Sequence, residues 1–315
     1  MTLRPPKLPE GATLAVVGPA SPMIEQRLSK GLHYLKERGY KIKLGKHVSD
    51  VHGYLAGQDA DRVHDLNSML CDPEVDAVFC TRGGYGTPRI LPHIDYEVIK
   101  ERPKILVGYS DITALQLAIF ARTGLVTFSG PMVAVELGKG VAPFTEAHFW
   151  PLLTSANISL KMTARDGPLE RLKPGRATGT LLGGNLAMVC SLLGTEYLPD
   201  LRGAILVIEE IGEEPYRLDR MLTQLKLAGV LAQAGGLVLG HFSGCEPSSG
   251  QPSLTVEEIV MNATAGLEIP VVAGLPYGHG EVKYTLPLGA RACLDAETGV
   301  LEVTMDEYPA PQAQL

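Results

Sequence analysis

The stretch Lys104-Ile105-Leu106-Val107-Gly108-Tyr109-Ser110-Asp111-Ile112-Thr113 passes from an apolar run through a polar turn into helix-forming residues within a few positions. Ile105 to Val107 is a continuous apolar run, as a strand buried on both faces requires. Residues 111–122 read as the helix that follows it. A strand that hands over at once to a helix is the building unit of a parallel α/β sheet.

The same unit recurs upstream. Residues 13–17 form an apolar run closed by Gly18-Pro19. Residues 24–38 carry Leu28, Leu32 and Leu35 at helical spacing and stop at Gly39. Residues 42–44 read as a second strand, 59–70 as a helix with Val63, Leu66 and Leu70 on one stripe, 75–80 as a third strand and 125–128 as a fifth. The expected fold class is therefore α/β, with a parallel sheet flanked by helices.

Downstream the pattern loosens. The stretch 143–174 holds Pro143, Pro151, Pro168 and Pro174 and a short polar alternation. It predicts a linker over 146–174 between an N-terminal domain, 1–145, and a C-terminal α/β domain, 175–315. In the second half, 204–208, 237–239 and 271–273 read as strands, and 217–227 as an amphipathic helix with Leu218, Met221, Leu222 and Leu225. A hairpin is expected from 290–295 and 300–304, joined by Glu297-Thr298-Gly299. Residues 309–315 are expected to be a loose tail.

The chain has 315 residues, a net charge of −7, and 45% hydrophobic against 20% charged residues, which is the balance of a globular protein rather than a disordered one. An acidic chain without a Lys/Arg-dense run is not expected to bind nucleic acid. The five cysteines, Cys71, Cys80, Cys190, Cys245 and Cys293, are odd in number and never form Cys-x-x-Cys. They read as reduced filler residues and point to a reducing compartment. Residues 1–11 carry no apolar run, and no segment approaches the length of a membrane span, so a cytoplasmic protein is expected.

Chemistry concentrates in a few places. Ser110 stands at the sharp strand–helix junction, where its hydroxyl is exposed at the C-terminal edge of the sheet. The helix behind it offers free N–H groups and a positive dipole end for a developing oxyanion. The alternative is that Ser110 merely caps that helix, and Ile112 stands where Gly-x-Ser-x-Gly has its last glycine. Thr81-Arg82-Gly83-Gly84-Tyr85-Gly86 follows the third strand, so the N–H of Gly84 can join that of Asp111 in an oxyanion hole. Its spacing does not make Gly-x-Gly-x-x-Gly, so no dinucleotide cofactor is expected.

A base is needed beside Ser110. His279, in Pro276-Tyr277-Gly278-His279-Gly280, is one candidate, and His241 is its rival. The carboxylate that would orient it is Glu209 or Glu210, both placed at the end of the strand 204–208, while Glu213 and Glu214 read as a solvated loop face. No His-x-x-x-His pair or carboxylate-rich loop is present, so no metal site is expected.

Together these segments resemble the LD-carboxypeptidase family of serine peptidases, also called murein tetrapeptide carboxypeptidases. The resemblance is carried by Arg82-Gly83-Gly84-Tyr85-Gly86, Gly108-Tyr109-Ser110-Asp111-Ile112-Thr113, Gly183-Gly184-Asn185-Leu186, the run from Glu209 through Arg220, and Gly278-His279. It implies a flavodoxin-like N-terminal domain, a smaller C-terminal α/β domain, and a homodimer. It implies a triad of Ser110, Glu209 and His279, with the N–H groups of Gly84 and Asp111 as the oxyanion hole. Glu210 falls where the family usually has aspartate. The implied reaction removes a terminal D-Ala from murein tetrapeptide through an acyl-enzyme, without cofactor. Arg82 is the candidate for gripping the substrate's terminal carboxylate, since a guanidinium binds a carboxylate bidentately; a structural salt bridge is the alternative. Two rival functions stand beside this one. The first is the self-immunity amidase of the same family, which inactivates microcin C-type aminoacyl-nucleotides and is expected to need an aromatic platform for the base; the single tryptophan is Trp150. The second is a non-catalytic binding protein.

Overall fold

The computed structural model describes residues 2–247 and 252–305, and the tail expected over 309–315 lies outside them. Five strands of the first half, β1 (Thr13–Val17), β2 (Lys41–Leu44), β3 (Ala77–Cys80), β4 (Ile105–Gly108) and β5 (Thr127–Ser129), pair in parallel in the order β5-β4-β3-β1-β2. That is the flavodoxin-like order, in which the C-terminal ends of neighbouring strands open onto one crevice. Every residue of β3 and β4 is buried, which is why those runs are apolar throughout.

The second sheet has β6 (Ile158–Met162), β7 (Glu170–Lys173), β8 (Arg176–Asn185), β9 (Ile205–Ile211), β10 (Gly236–Ser243), β11 (Val271–Ala273), β13 (Arg291–Asp295) and β14 (Val300–Met305). Their order is β6-β14-β13-β8-β9-β10-β11-β7, with a parallel centre, β8 to β11, and antiparallel flanks. The expected hairpin is β13–β14.

Four features depart from the sequence reading. Residues 146–174 are not irregular, because they hold the helix Trp150–Thr154 and the strands β6 and β7. Those strands are the two edges of the second sheet, where a polar alternation such as Ile158-Ser159-Leu160-Lys161-Met162 buries one face only. Pro151 sits in the first turn of its helix, where a missing N–H is harmless. The ten-residue β8 escapes the pattern because Gly179, Gly183 and Gly184 interrupt its alternation. β9 extends to Ile211, so Glu209 and Glu210 lie within the strand rather than beyond its end.

The fourth departure has the largest consequence. β12 (Leu286–Leu288) leaves the second sheet and pairs antiparallel with β5 in the first. The segment between β11 and β12 therefore crosses from one sheet to the other. The buried apolar side chains form two clusters, and each draws residues from both sheets, for example Leu106 with Leu206, and Val107 with Val207. Among the described residues no helix is long and apolar enough to cross a membrane. The five cysteines are unbonded; Cys80, Cys190 and Cys245 are buried, while Cys71 and Cys293 are exposed.

Candidate active site

Between β4 and the helix Ile112–Thr123 the chain reverses within three residues, and Ser110 takes up the whole bend. Its φ of 66° makes it the sole non-glycine residue with positive φ among the described residues. Such a conformation costs on the order of 1 kcal/mol and persists only where the surroundings enforce it. Ile112 occupies the space of the missing last glycine by packing over Gly108, where an added Cβ would stand 2.8 Å from Ile112 Cγ2. Asp111, not Ser110, takes the N-cap position, without a side-chain capping bond, and the Ser110 hydroxyl faces His279.

His279 comes from the crossing segment between β11 and β12. That segment is pinned by Tyr277, whose hydroxyl meets Ser129 Oγ of β5 at 2.7 Å, and by the Tyr284 N–H, which donates to the Pro276 carbonyl at 2.7 Å. His279 Nε2 lies 3.1 Å from Ser110 Oγ, and its Nδ1 lies 2.7 Å from Glu209 Oε2. An Nδ1–H donated to the carboxylate leaves Nε2 as the acceptor for the serine proton. Glu209 is 1% exposed on β9. Gly278 lets it in: a Cβ there would stand 2.7 Å from Glu209 Cβ and Cγ.

Adjacent strand residues face opposite ways, and this separates the two glutamates. Glu210 turns from His279 and accepts from Asn185 Nδ2 and the Ala187 N–H at 2.8 Å, and from the Ile211 N–H at 2.9 Å. Burial pushes its carboxyl above the ordinary range, against the pull of those donors. The Asn185 N–H in turn donates to Thr113 Oγ1 at 3.1 Å, which ties β8 to the helix that follows Ser110.

The glycine loop lies against the serine. A Cβ on Gly83 would stand 2.8 Å from Ser110 Cβ and 2.9 Å from its Oγ. Asp111 locks the loop to the bend, with its Oδ2 accepting from the Thr87 N–H at 2.8 Å and its carbonyl from Thr87 Oγ1 at 2.6 Å. Buried Arg62 donates to the Gly86 and Pro19 carbonyls. Among the described residues neither the Gly84 N–H nor the Asp111 N–H enters a hydrogen bond. A hydroxyl held against an imidazole that is itself held by a carboxylate can attack a carbonyl, and an N–H without a partner near the bend, such as that of Asp111, is available to an oxyanion.

The other candidates fall elsewhere. His241 lies within β10 with its ring against Gly280, and burial pushes its imidazole below the ordinary range. A cavity of about 430 Å³ is lined by His241 but by none of Ser110, Glu209 and His279. Arg82 is exposed and donates to the Pro22 carbonyl at 2.9 Å, and no salt bridge engages it among the described residues. Glu213 is half-buried and lies 3.6 Å from Arg217. His47, Asp50 and Asp61 are close enough to share an ion, but none of them touches the Ser110 group, and His47 Nδ1 already meets Asp50 Oδ2 at 2.8 Å. Sequence reasoning missed the buried Tyr109 and Lys283 and the half-buried Glu136, which reach His279 through the Tyr109 ring. No spacing rule marks a buried lysine.

Models of the LD-carboxypeptidase N-terminal and C-terminal domains match residues 14–130 and 178–294. A probable murein peptide carboxypeptidase of Bacillus subtilis is 42% identical over 98% of this chain and 97% of its own. The crystal structure of a muramoyltetrapeptide carboxypeptidase from Oxalobacter formigenes, 35% identical, superposes with a TM-score of 0.83 over 95% of this chain and 100% of that one. The microcin C7 self-immunity protein of Escherichia coli is 28% identical over 91% of this chain and 90% of its own. A structure of a protein of that name, in complex with aspartyl sulfamoyl adenosine, superposes with a TM-score of 0.86 over 98% of this chain and 100% of that one.

Proposed function

The chain belongs to the LD-carboxypeptidase family of serine-type carboxypeptidases, and we propose from that membership and from the site's geometry that it releases the terminal D-Ala of murein tetrapeptide by a Ser110–His279–Glu209 triad. The observation that carries the reading is the hydrogen-bonded chain from Ser110 Oγ through the imidazole to the buried carboxylate, with the serine held at positive φ.

In this mechanism His279 Nε2 takes the proton as Ser110 Oγ attacks the carbonyl of the L-configured third residue. The Oγ–C bond forms, and the Gly84 and Asp111 N–H groups receive the oxyanion. Collapse breaks the C–N bond, and His279 returns the proton to the departing D-Ala amine. Water, deprotonated by the same imidazole, then frees Ser110 from its ester. Glu209 holds the tautomer and the charge of the imidazolium. Arg82, exposed beside the glycine loop and without a carboxylate partner among the described residues, receives the terminal carboxylate of the substrate. The nucleophile belongs to an N-terminal unit built on 1–145, and the Glu and His to a C-terminal unit whose sheet also takes β6 and β7 from 146–174. The enzyme acts as a homodimer in the cytoplasm, a setting consistent with five unbonded cysteines.

The murein reading is favoured over the aminoacyl-nucleotide one by the position of Trp150. It is 6% exposed, stacked on Tyr40 and covered by Arg38, so no base can lie on it. The test is mass spectrometry of purified tetrapeptide incubated with the wild type and with Ser110→Ala. Loss of one alanine with the wild type alone supports both reaction and nucleophile. A folded wild type that leaves the peptide intact removes the murein reading, and aminoacyl-nucleotide amides are then the substrates to try.

A further inference from the structure

Behind the Tyr109 ring that faces the imidazole lies a charge pair of a buried lysine and a half-buried glutamate, which the triad does not use. Lys283 is 2% exposed, and its Nζ donates to Glu136 Oε1 at 2.5 Å. The Tyr109 hydroxyl donates to the same oxygen at 2.7 Å, and the Met132 N–H donates to Oε2 at 3.0 Å. Lys283 Nζ also sits 3.9 Å from the centre of the Tyr109 ring. That ring in turn lies 5.0 Å, centre to centre, from the His279 ring, with the planes tilted by 57°. Three separate segments meet here: the serine bend, the chain after β5, and the crossing segment that carries His279.

A buried ion pair is weak evidence for stability, because desolvating both charges offsets their attraction. Its position suggests another use. The two hydrogen bonds of His279 lie on opposite edges of its ring and leave it able to swing about the line joining them. Tyr109 walls that swing. The ring of Tyr109 is itself clamped, with its hydroxyl on Glu136 and its face under the Lys283 ammonium. Burial keeps the phenol protonated; burial would also raise Glu136, but Lys283 together with the Met132 N–H and the Tyr109 hydroxyl holds it below the ordinary range.

We propose that Lys283 and Glu136 are positioning residues for His279. They act through the Tyr109 ring, and their opposite charges cancel at the imidazole so that it stays available to accept the Ser110 proton. This rests on the triad reading above. The other titratable or charged groups around His279 are Glu209 on β9, His241 on β10 behind Gly280, and Glu281 on its own segment, which is exposed.

The experiment compares the full-length wild type, Glu136→Gln, Lys283→Met and the double variant. It records the pH dependence of tetrapeptide kcat/KM and of Ser110 labelling by a fluorophosphonate. In Glu136→Gln the lone ammonium opposes an imidazolium, so the acid limb moves to lower pH. In Lys283→Met the lone carboxylate favours it, so the limb moves to higher pH. Each displacement is on the order of one pH unit, as expected for a unit charge one aromatic ring away in a medium of effective dielectric constant about 20. The double variant returns the limb to the wild-type position. Lys283→Arg, which keeps the charge, also leaves the limb in place, and it serves where a neutral single variant does not fold. Limbs that stay put or move together in the two single variants, or a limb displaced in Lys283→Arg, overturn the proposal while the triad reading stands. A wild type inert to both peptide and probe removes the triad reading and this inference with it.

Discussion

Replacing Glu209 by glutamine keeps the volume of the side chain and removes its charge, so it tests the carboxylate's role directly. The 2.7 Å contact between Glu209 Oε2 and His279 Nδ1 admits two outcomes. If the new amide presents its NH2, Nδ1 must accept, the ring proton moves to Nε2, and the imidazole can no longer take the proton of Ser110. Loss of the correct tautomer in this way is worth about 10⁴ in kcat, or about 5.5 kcal/mol. If the amide presents its oxygen, the tautomer survives, but the NH2 is driven to where Glu209 Oε1 now lies buried without a partner. Burying that donor costs about 1–3 kcal/mol, and the imidazolium loses its counter-charge. The expected fall in kcat is therefore about 10²–10⁴, with KM changed far less. Glu210→Gln is the comparison. It places an NH2 against Asn185 Nδ2 or a backbone N–H, so it costs stability on the order of 1–3 kcal/mol and less than about tenfold in kcat. Turnover of tetrapeptide and thermal melting are measured on the same preparations. Equal losses of kcat at the two glutamates, in folded proteins, would refute the assignment of Glu209.

Two further predictions concern packing and pH. Gly83→Ala puts a methyl 2.8 Å from Ser110 Cβ and 3.2 Å from the Tyr109 carbonyl, so the bend or the loop must shift. The expected result is a fall of about 10–100-fold in kcat and about 1–3 kcal/mol of stability; activity within about twofold of wild type and an unchanged melting curve contradict the close approach. Burial raises the Glu210 carboxyl above its unfolded value, so its contribution to stability is fully present below that value and is lost as pH rises through the folded one. Denaturant midpoints measured upward from the ordinary carboxylate range should therefore show a downward slope in the wild type that is reduced in Glu210→Gln; parallel slopes in the two proteins count against a raised carboxyl.

Local pattern carries far in this chain. β1, β3 and β4 announce themselves because a strand buried on both faces must be apolar at every position, and the helices between them show their stripes at 3.6-residue spacing. The bend at Ser110 is equally local, since a strand running into a helix after Gly108-Tyr109 forces it. The edge strands β6 and β7 were hidden because one buried face and a few prolines look like a linker, and β8 was hidden by its glycines. The types of residue a triad needs, and the order in which they come, are also in the sequence. Ser110, Glu209 and His279 are legible as a set through resemblance to a family, and Tyr109, Glu136 and Lys283 are not legible at all. What the sequence alone determined, then, is each element whose signal lies within a dozen residues: the parallel strands, their helices and the serine bend. The pairing of β12 with β5, the contacts that bring Glu209 and Ser110 to His279, and the charge pair behind the Tyr109 ring were decided only by tertiary structure. The reason is that each depends on groups far apart in the chain, on two sheets that meet only when one segment crosses between them, and on which face of a strand turns toward that segment.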